Sequence, residues 1–182
     1  MDRAQILAAL TALGEELHEH GVTADLYVVG GAAIALAYDE RRSTRDIDAV
    51  FVPKSAVYAA AARVRDNLDL PEGWLNDAVK GFLLGPDPFH TEIIEVPGLR
   101  CEVASPEMVL VLKCLAHRLG EDDDDVRLLT AAAGLHDPDD VLDLVERTVG
   151  DRQLLTTQVE FFVRAVLDEP AGKAEVQEDS RP

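Results

Sequence analysis

Two aspartates separated by one residue, Asp46 and Asp48, lead into the apolar run Ala49-Val50-Phe51-Val52, and no other part of the chain is better placed to do chemistry. In an extended strand, residues i and i+2 project from the same face, so the two carboxylates stand side by side. Two like charges that close favour a shared cation, and the apolar continuation predicts a buried strand at whose mouth an unpartnered pair would be costly. About fifteen residues upstream, Gly30-Gly31 follows the apolar stretch Asp25 to Val29 and precedes an alanine-rich segment, AAIALAY. That order predicts a strand, a glycine turn and a helix. Glycine lets backbone approach a ligand closely, and a helix start presents amide donors, which together make a phosphate cradle. Mg²⁺, or Mn²⁺ in its place, takes carboxylate and phosphate oxygens together. A metal held by Asp46 and Asp48 against the phosphates of an NTP would neutralise the triphosphate and its leaving pyrophosphate while a hydroxyl attacks, which is nucleotidyl transfer. Taken singly, a Gly-Gly after a strand is ordinarily a packing turn and an Asp-x-Asp a solvated strand end. Their order and spacing give the functional reading its weight.

Other polar residues surround this proposal in sequence. Arg41, Arg42 and Arg45 place three of the 17 basic residues directly before Asp46. They form either a solvated loop or a set of cations for triphosphate or acceptor phosphates. Thr44 can cap the turn or bond a phosphate. Lys113 interrupts the apolar helix MVLVLKCLA, where a charged group is normally excluded unless its methylenes carry the ammonium out to water. The acidic run Glu121 to Asp125 reads as a helix N-terminus, where carboxylates interact well with the dipole. In a functional reading Asp122 or Asp125 orients Lys113 or the incoming hydroxyl. The five histidines share no spacing, and they read as surface or helix-end residues. Cys101 and Cys114 lie in apolar surroundings without metal-ligand spacing, which argues against a zinc site or a disulfide and fits a reducing cytoplasm.

The elements that must hold these residues can be read from periodicity. Arg3 to His20 is helical with Gly21 as its stop, Arg45 to Val52 is a strand closed by Pro53, and Lys54 to Leu68 is an alanine-rich helix. Trp74 to Phe82 reads as a short amphipathic turn or helix anchored by Trp74, Val79 and Phe82. Thr91 to Val96 and Leu99 to Ala104 are strands around Pro97-Gly98. Ser105-Pro106 and Asp137-Pro138 start two further helices, and Arg152 to Leu167 predicts a last one. The organisation is a mixed α/β half over residues 1–104 followed by a helical half over 105–167. The tail over 168–182, rich in charge and poor in apolar residues, is expected to be disordered.

The chain has 182 residues with 47% apolar and 29% charged, enough for one sizeable core. Its formal charge of -18 excludes a broad basic surface for nonspecific nucleic-acid binding, so any such contact must be local. No charged-then-apolar leader pattern and no run long enough for a membrane span occur, so no membrane partner is expected.

The segments VGGAAIALAY, RRSTRDIDAVF, WLNDAVKGFL and SPEMVLVLKCLAHR followed by DxxDV resemble the DNA polymerase β-like nucleotidyltransferases, and among them the DUF6036 and AbiEii/MenT toxin group. The resemblance spans approximately Leu26 to Leu129. It implies an α+β fold, a small mixed sheet flanked by helices with a C-terminal helical part. It also implies that Gly30 and Gly31 contact the phosphates, that Asp46 and Asp48 bind metal, and that Lys113 contacts the triphosphate. Asp122 and Asp125 match the group's DxxD and join the nucleotide-binding set with Arg42 and Thr44. The wider superfamily carries a third catalytic carboxylate on a later strand. Glu102 is the choice for it here, because Arg100 and Glu102 share one strand face, with Glu92 and Glu95 as competitors and simple pairing of Glu102 with Arg100 as the alternative. Asn76 and Asp77 also fall in a matching segment, and helix capping is the role expected of them. By resemblance the acceptor is the 3′ end of tRNA, and the protein is a toxin countered by an antitoxin protein. Adenylyl transfer to a small molecule such as an aminoglycoside, and a silent nucleotide-binding module, are the competing functions.

Overall fold

A computed structural model describes residues 1–77, 86–150 and 156–168 of the chain. Helix α1 (Arg3–Glu19) opens on a capping box, with the Asp2 side chain accepting from the Gln5 amide and the Gln5 side chain returning to the Asp2 amide. Strand β1 (Ala24–Val28) runs into helix α2 (Gly30–Ala33), which widens at once into a π-helical turn over Ile34–Tyr38. Strand β2 (Ile47–Val52), helix α3 (Lys54–Leu68) and a two-residue strand β3 (Leu75–Asn76) follow. Strands β4 (Thr91–Val96) and β5 (Leu99–Val103) complete the sheet. Four helices close the chain: α4 (Pro106–Ala116), α5 (Asp123–Ala132), α6 (Pro138–Val149) and α7 (Thr157–Asp168).

The sheet is mixed, in the order β3-β2-β1-β5-β4. β1 lies antiparallel to β2 and parallel to β5, β2 is parallel to β3, and β4 is antiparallel to β5 with a bulge between Glu92 and Ile94. Alternation decides which face is covered. Leu26 and Val28, Ala49 and Phe51, and Cys101 and Val103 are buried on one side, against α1 and α3, which pack on each other as well. The opposite face carries Asp25, Tyr27, Asp48, Val50, Arg100 and Glu102, none of them fully buried. Five strands with helices around them are the α+β fold expected.

Three local expectations need correction. The strand carrying the aspartates is not buried on both faces: Val52 is exposed and Val50 half-buried, while Ala49 and Phe51 face the core. Asp46 sits just ahead of β2 rather than inside it. Of the amphipathic turn or helix expected over Trp74 to Phe82, Leu75–Asn76 forms instead a strand added to the sheet edge beside β2. The Trp74 ring is buried and its indole N–H donates to the Ala61 carbonyl at 3.1 Å, so this segment is pinned to α3. Val79 and Phe82, the start of the last predicted helix at Arg152, and the tail beyond Asp168 lie outside the described residues. Among the described residues no helix is long and apolar enough to cross a membrane.

Candidate active site

The β1–α2 turn and the leading end of β2 meet because the Val29 amide donates to the Asp48 carbonyl at 2.9 Å. Gly30 follows with φ +63°, a conformation glycine adopts without strain, and a Cβ there would lie 3.1 Å from Asp48 Oδ2. At Gly31 a Cβ would lie 3.1 Å from Thr44 Oγ1. Glycine at both positions therefore leaves open the space directly above Asp48 and Thr44. Thr44 itself caps the turn, its hydroxyl donating to the Asp46 carbonyl at 3.0 Å. The helix after the turn is shorter than the sequence suggests, four α-helical residues before the π-helical turn. A phosphate here would meet glycine backbone rather than a long helix dipole. The π-helical turn ends at Tyr38, whose hydroxyl donates to the Ala104 carbonyl at 2.5 Å.

Asp46 and Asp48 stand together as their spacing predicts, and the environment records the crowding. Burial, and then the Asp46 charge, raise the Asp48 carboxyl above its ordinary range, while Asn76, Lys113 and Arg118 pull it back. The Asn76 amide nitrogen donates to Asp46 Oδ2 at 3.0 Å. The Asn76 backbone is in register with Asp48, one strand over. Asp77 beside it turns away, paired with Lys54 and accepting from the Tyr58 hydroxyl at 2.6 Å. Among the described residues no group of three or more His, Cys, Asp or Glu side chains is arranged to hold a metal ion. Two carboxylates on one face nonetheless suit Mg²⁺, which keeps water and takes substrate phosphate for its remaining positions.

Facing this mouth is a buried ionic network that joins α4, α5 and the loop before β2. Lys113 is 9% exposed, Asp122 2% and Asp125 4%. The Lys113 ammonium lies 2.5 Å from Asp122 Oδ1 and 2.9 Å from Asp125 Oδ2. Asp122 also accepts from Arg118 Nε at 2.9 Å and from its second nitrogen at 3.1 Å, and Asp125 accepts from Arg42. Asp122 occupies the N-cap position of α5 without capping it, because its carboxylate is turned to these cations. Lys113 is therefore not a snorkelling lysine. Three cations hold the two buried carboxylates, Arg118 also pairs with the exposed Glu121 at 3.4 Å, and two of the three, Arg42 and Arg118, keep part of their side chains in solvent. A cleft of about 130 Å³ is lined by Gly30, Gly31 and Asp48 on one side and Lys113, Ala116 and Arg118 on the other. Larger grooves of about 430 and 400 Å³ run along α7 around Phe161, with apolar walls and none of these groups.

Glu102 shares the open face of the sheet but not the carboxylate pair. β1 stands between β5 and β2, with Glu102 opposite Tyr27 and Tyr27 opposite Val50, so Glu102 is two strands and two residues from Asp48, roughly 12 Å by sheet spacings. Its neighbours are His90 Nε2 at 3.6 Å and Arg100 at 3.9 Å. Glu95 is exposed on β4 at the sheet edge, and the Glu92 backbone pairs with that of Glu102. Beside Glu102, one strand over, lies Tyr27, whose hydroxyl donates to Asp87 at 2.6 Å. Of the three arginines before Asp46, only Arg42 reaches the network; Arg41 turns to Asp39 at 3.2 Å and Arg45 is exposed. Burial pushes the thiols of Cys101 and Cys114 up to about 12, so neither is an ionised nucleophile at neutral pH.

Sequence reasoning missed Arg118 and the contact of Asn76 with Asp46. The four-residue spacing of Arg118 and Asp122 across a helix end was the available sign for the first. A two-residue strand offers no periodicity from which to find the second.

No curated protein and no solved structure matches the chain at a significant level. A family model described as a nucleotidyltransferase of unknown function (DUF6036) matches residues 5–152, which include the glycine turn, both aspartates and the ionic network. The chain belongs to that nucleotidyltransferase family.

Proposed function

We propose that the protein transfers a nucleoside monophosphate from an NTP to an acceptor hydroxyl, with Asp46 and Asp48 as ligands to Mg²⁺ or Mn²⁺. The observation that carries this reading is the placement of two crowded carboxylates across a small cleft from a cationic network, with side-chain-free glycine backbone between them. A divalent cation bound there supplies charge neutralisation at the phosphates. Gly30 and Gly31 let the triphosphate approach the backbone, while Lys113, Arg118 and Arg42 stabilise the charge that builds on the departing pyrophosphate. Asp122 and Asp125 act through those cations, fixing their positions. The acceptor oxygen bonds to the α-phosphorus, the bond to the bridging oxygen of pyrophosphate breaks, and the hydroxyl proton passes to water at the open sheet face, where Glu102 is assigned to the acceptor side.

The acceptor in this reading is the tRNA 3′ end, with the protein acting as a toxin held in check by an antitoxin; sequence resemblance supports it. A second reading is favoured by one feature: the open face beyond Asp48 carries Tyr27, Asp87, Glu102 and Asp25, a surface suited to a cationic, hydroxylated small molecule such as an aminoglycoside. Purified protein with Mg²⁺ and each labelled NTP, offered total tRNA, an aminoglycoside panel or no acceptor, separates them. Label on tRNA that is lost in Asp46→Asn plus Asp48→Asn supports the first, and label on the small molecule the second. Nucleotide binding without transfer in any arm leaves a silent nucleotide-binding module.

A further inference from the structure

Asn76 has no part in the transfer described above, yet its side chain reaches both aspartates. Its amide nitrogen donates to Asp46 Oδ2 at 3.0 Å, and it lies near enough to Asp48 to pull that carboxyl down. The backbone that carries it is held on both sides. Leu75 before it is buried, Trp74 before that gives its carbonyl to the Ile47 amide at 2.7 Å, and Asp77 after it is fixed by the Tyr58 hydroxyl. The chemistry of the side chain matters as much as its place. A lysine here would neutralise the pair and compete with a cation, and an apolar residue would leave two carboxylates in mutual repulsion. A neutral amide offers N–H groups that ease the repulsion while the full negative charge and the remaining carboxylate lone pairs stay available.

We propose that Asn76 is a positioning residue that holds Asp46 and Asp48 at ligand spacing before the divalent cation arrives. This rests on the reading of the two aspartates as metal ligands, and it adds a determinant of metal affinity from outside the carboxylate pair. Residues that orient metal ligands typically govern affinity by about 10- to 100-fold.

The test is titration of Mn²⁺ into the full chain, followed by electron paramagnetic resonance, for the wild type, Asn76→Ala, Asn76→Asp and the double variant Asp46→Asn plus Asp48→Asn. Melting in EDTA and with saturating Mn²⁺ accompanies it. We expect Asn76→Ala to weaken Mn²⁺ binding about tenfold or more. The Mn²⁺ concentration for half-maximal transfer should rise by the same factor, a coupling that general loosening of the fold would not produce. If Asn76→Ala does not fold, Asn76→Asp decides: with acceptors only, it should melt earlier than wild type in EDTA and recover with Mn²⁺. Wild-type affinity in Asn76→Ala, or wild-type melting of Asn76→Asp in EDTA, overturns the inference while the metal reading stands, provided the double aspartate variant has lost Mn²⁺. If the double variant binds Mn²⁺ as the wild type does, the metal reading itself falls and takes the role of Asn76 with it.

Discussion

The two sides of the cleft solve opposite electrostatic problems. At the sheet mouth, Asp46 and Asp48 are crowded and only partly relieved: Asn76 gives a hydrogen bond but no charge, and the Asp48 carboxyl is raised. Across from them, Asp122 and Asp125 are far more deeply buried, yet each accepts from two cations. The depth of burial therefore does not tell which carboxylates await a partner. The number of counter-charges does. The helical side is ion-paired as folded, with Glu121 on Arg118 as well, whereas at the sheet mouth two carboxylates share a neutral amide.

The contrast breaks most readily at Asp122. Asp122→Ala leaves Lys113 buried with one carboxylate fewer, and removing one partner from a buried ionic group costs about 3–5 kcal/mol. Urea unfolding should register that loss. In the same measurement without metal, Asp46→Asn plus Asp48→Asn should be neutral or stabilising by up to about 1 kcal/mol, the scale of relieving like charges on one sheet face. Equal destabilisation by both variants would erase the distinction between the two sides. Arg118→Ala sharpens it from the functional end. Its guanidinium is half in solvent and Asp122 keeps Lys113, so stability should change little while kcat/KM for NTP falls about 100-fold, the cost of losing one charge-stabilising donor.

These two regions were not equally legible in the sequence. Asp46, Asp48 and the Gly30-Gly31 turn lie within a short span of strong local pattern, and strand, turn and strand formed where apolar alternation and glycine placed them. The acids of the run from Glu121 are alike in composition, and only the resemblance to a DxxD pattern singled out Asp122 and Asp125. Only the packing of α5 on α4 buries Asp122 and Asp125 and leaves Asp123 and Asp124 outside, facing Gly120 and Arg127. The contact of Asn76 with Asp46 was not legible because strand β3 exists through its pairing with β2, not through its own two residues. The widening of α2 into a π-helical turn had no sequence sign either. What is local in the site could be read, and what depends on one element docking on another could not.

Gly30→Ala tests how tightly the turn and the carboxylate are matched. The left-handed backbone costs a non-glycine residue about 1–2 kcal/mol, and the new methyl would press on Asp48 Oδ2. Thermal melting should show the loss. The methyl should also lower nucleotide affinity, because it occupies the space between backbone and phosphate; unchanged affinity would remove the glycine turn from the phosphate site.

The smallest effect separates two carboxylates on the same open side of the sheet. Burial alone would raise the Asp87 carboxyl, but hydrogen bonds from the Tyr27 hydroxyl and from the Ser105 and Phe89 amides outweigh it and hold it below its usual range. A depressed carboxylate stabilises the fold above its unfolded pKa, and that contribution is lost as pH falls through the folded value. Asp87→Ala should therefore melt below wild type at pH 7 by about 1 kcal/mol, the worth of the hydrogen bonds removed, with the gap narrowing as the pH drops below about 4. Asp48 has the opposite sign. Its raised carboxyl binds its proton more tightly in the fold, so stability is lost as pH rises from the unfolded value through the folded one. In EDTA, Asp48→Asn should melt above wild type at pH 7, and that gap too should close in acid. Melting curves collected from pH 3 to 7 would then show one variant below wild type and one above, converging at low pH. If Asp48→Asn follows wild type throughout, the carboxylates at the sheet mouth lack no counter-charge, and the difference between the two sides of the cleft is one of burial alone.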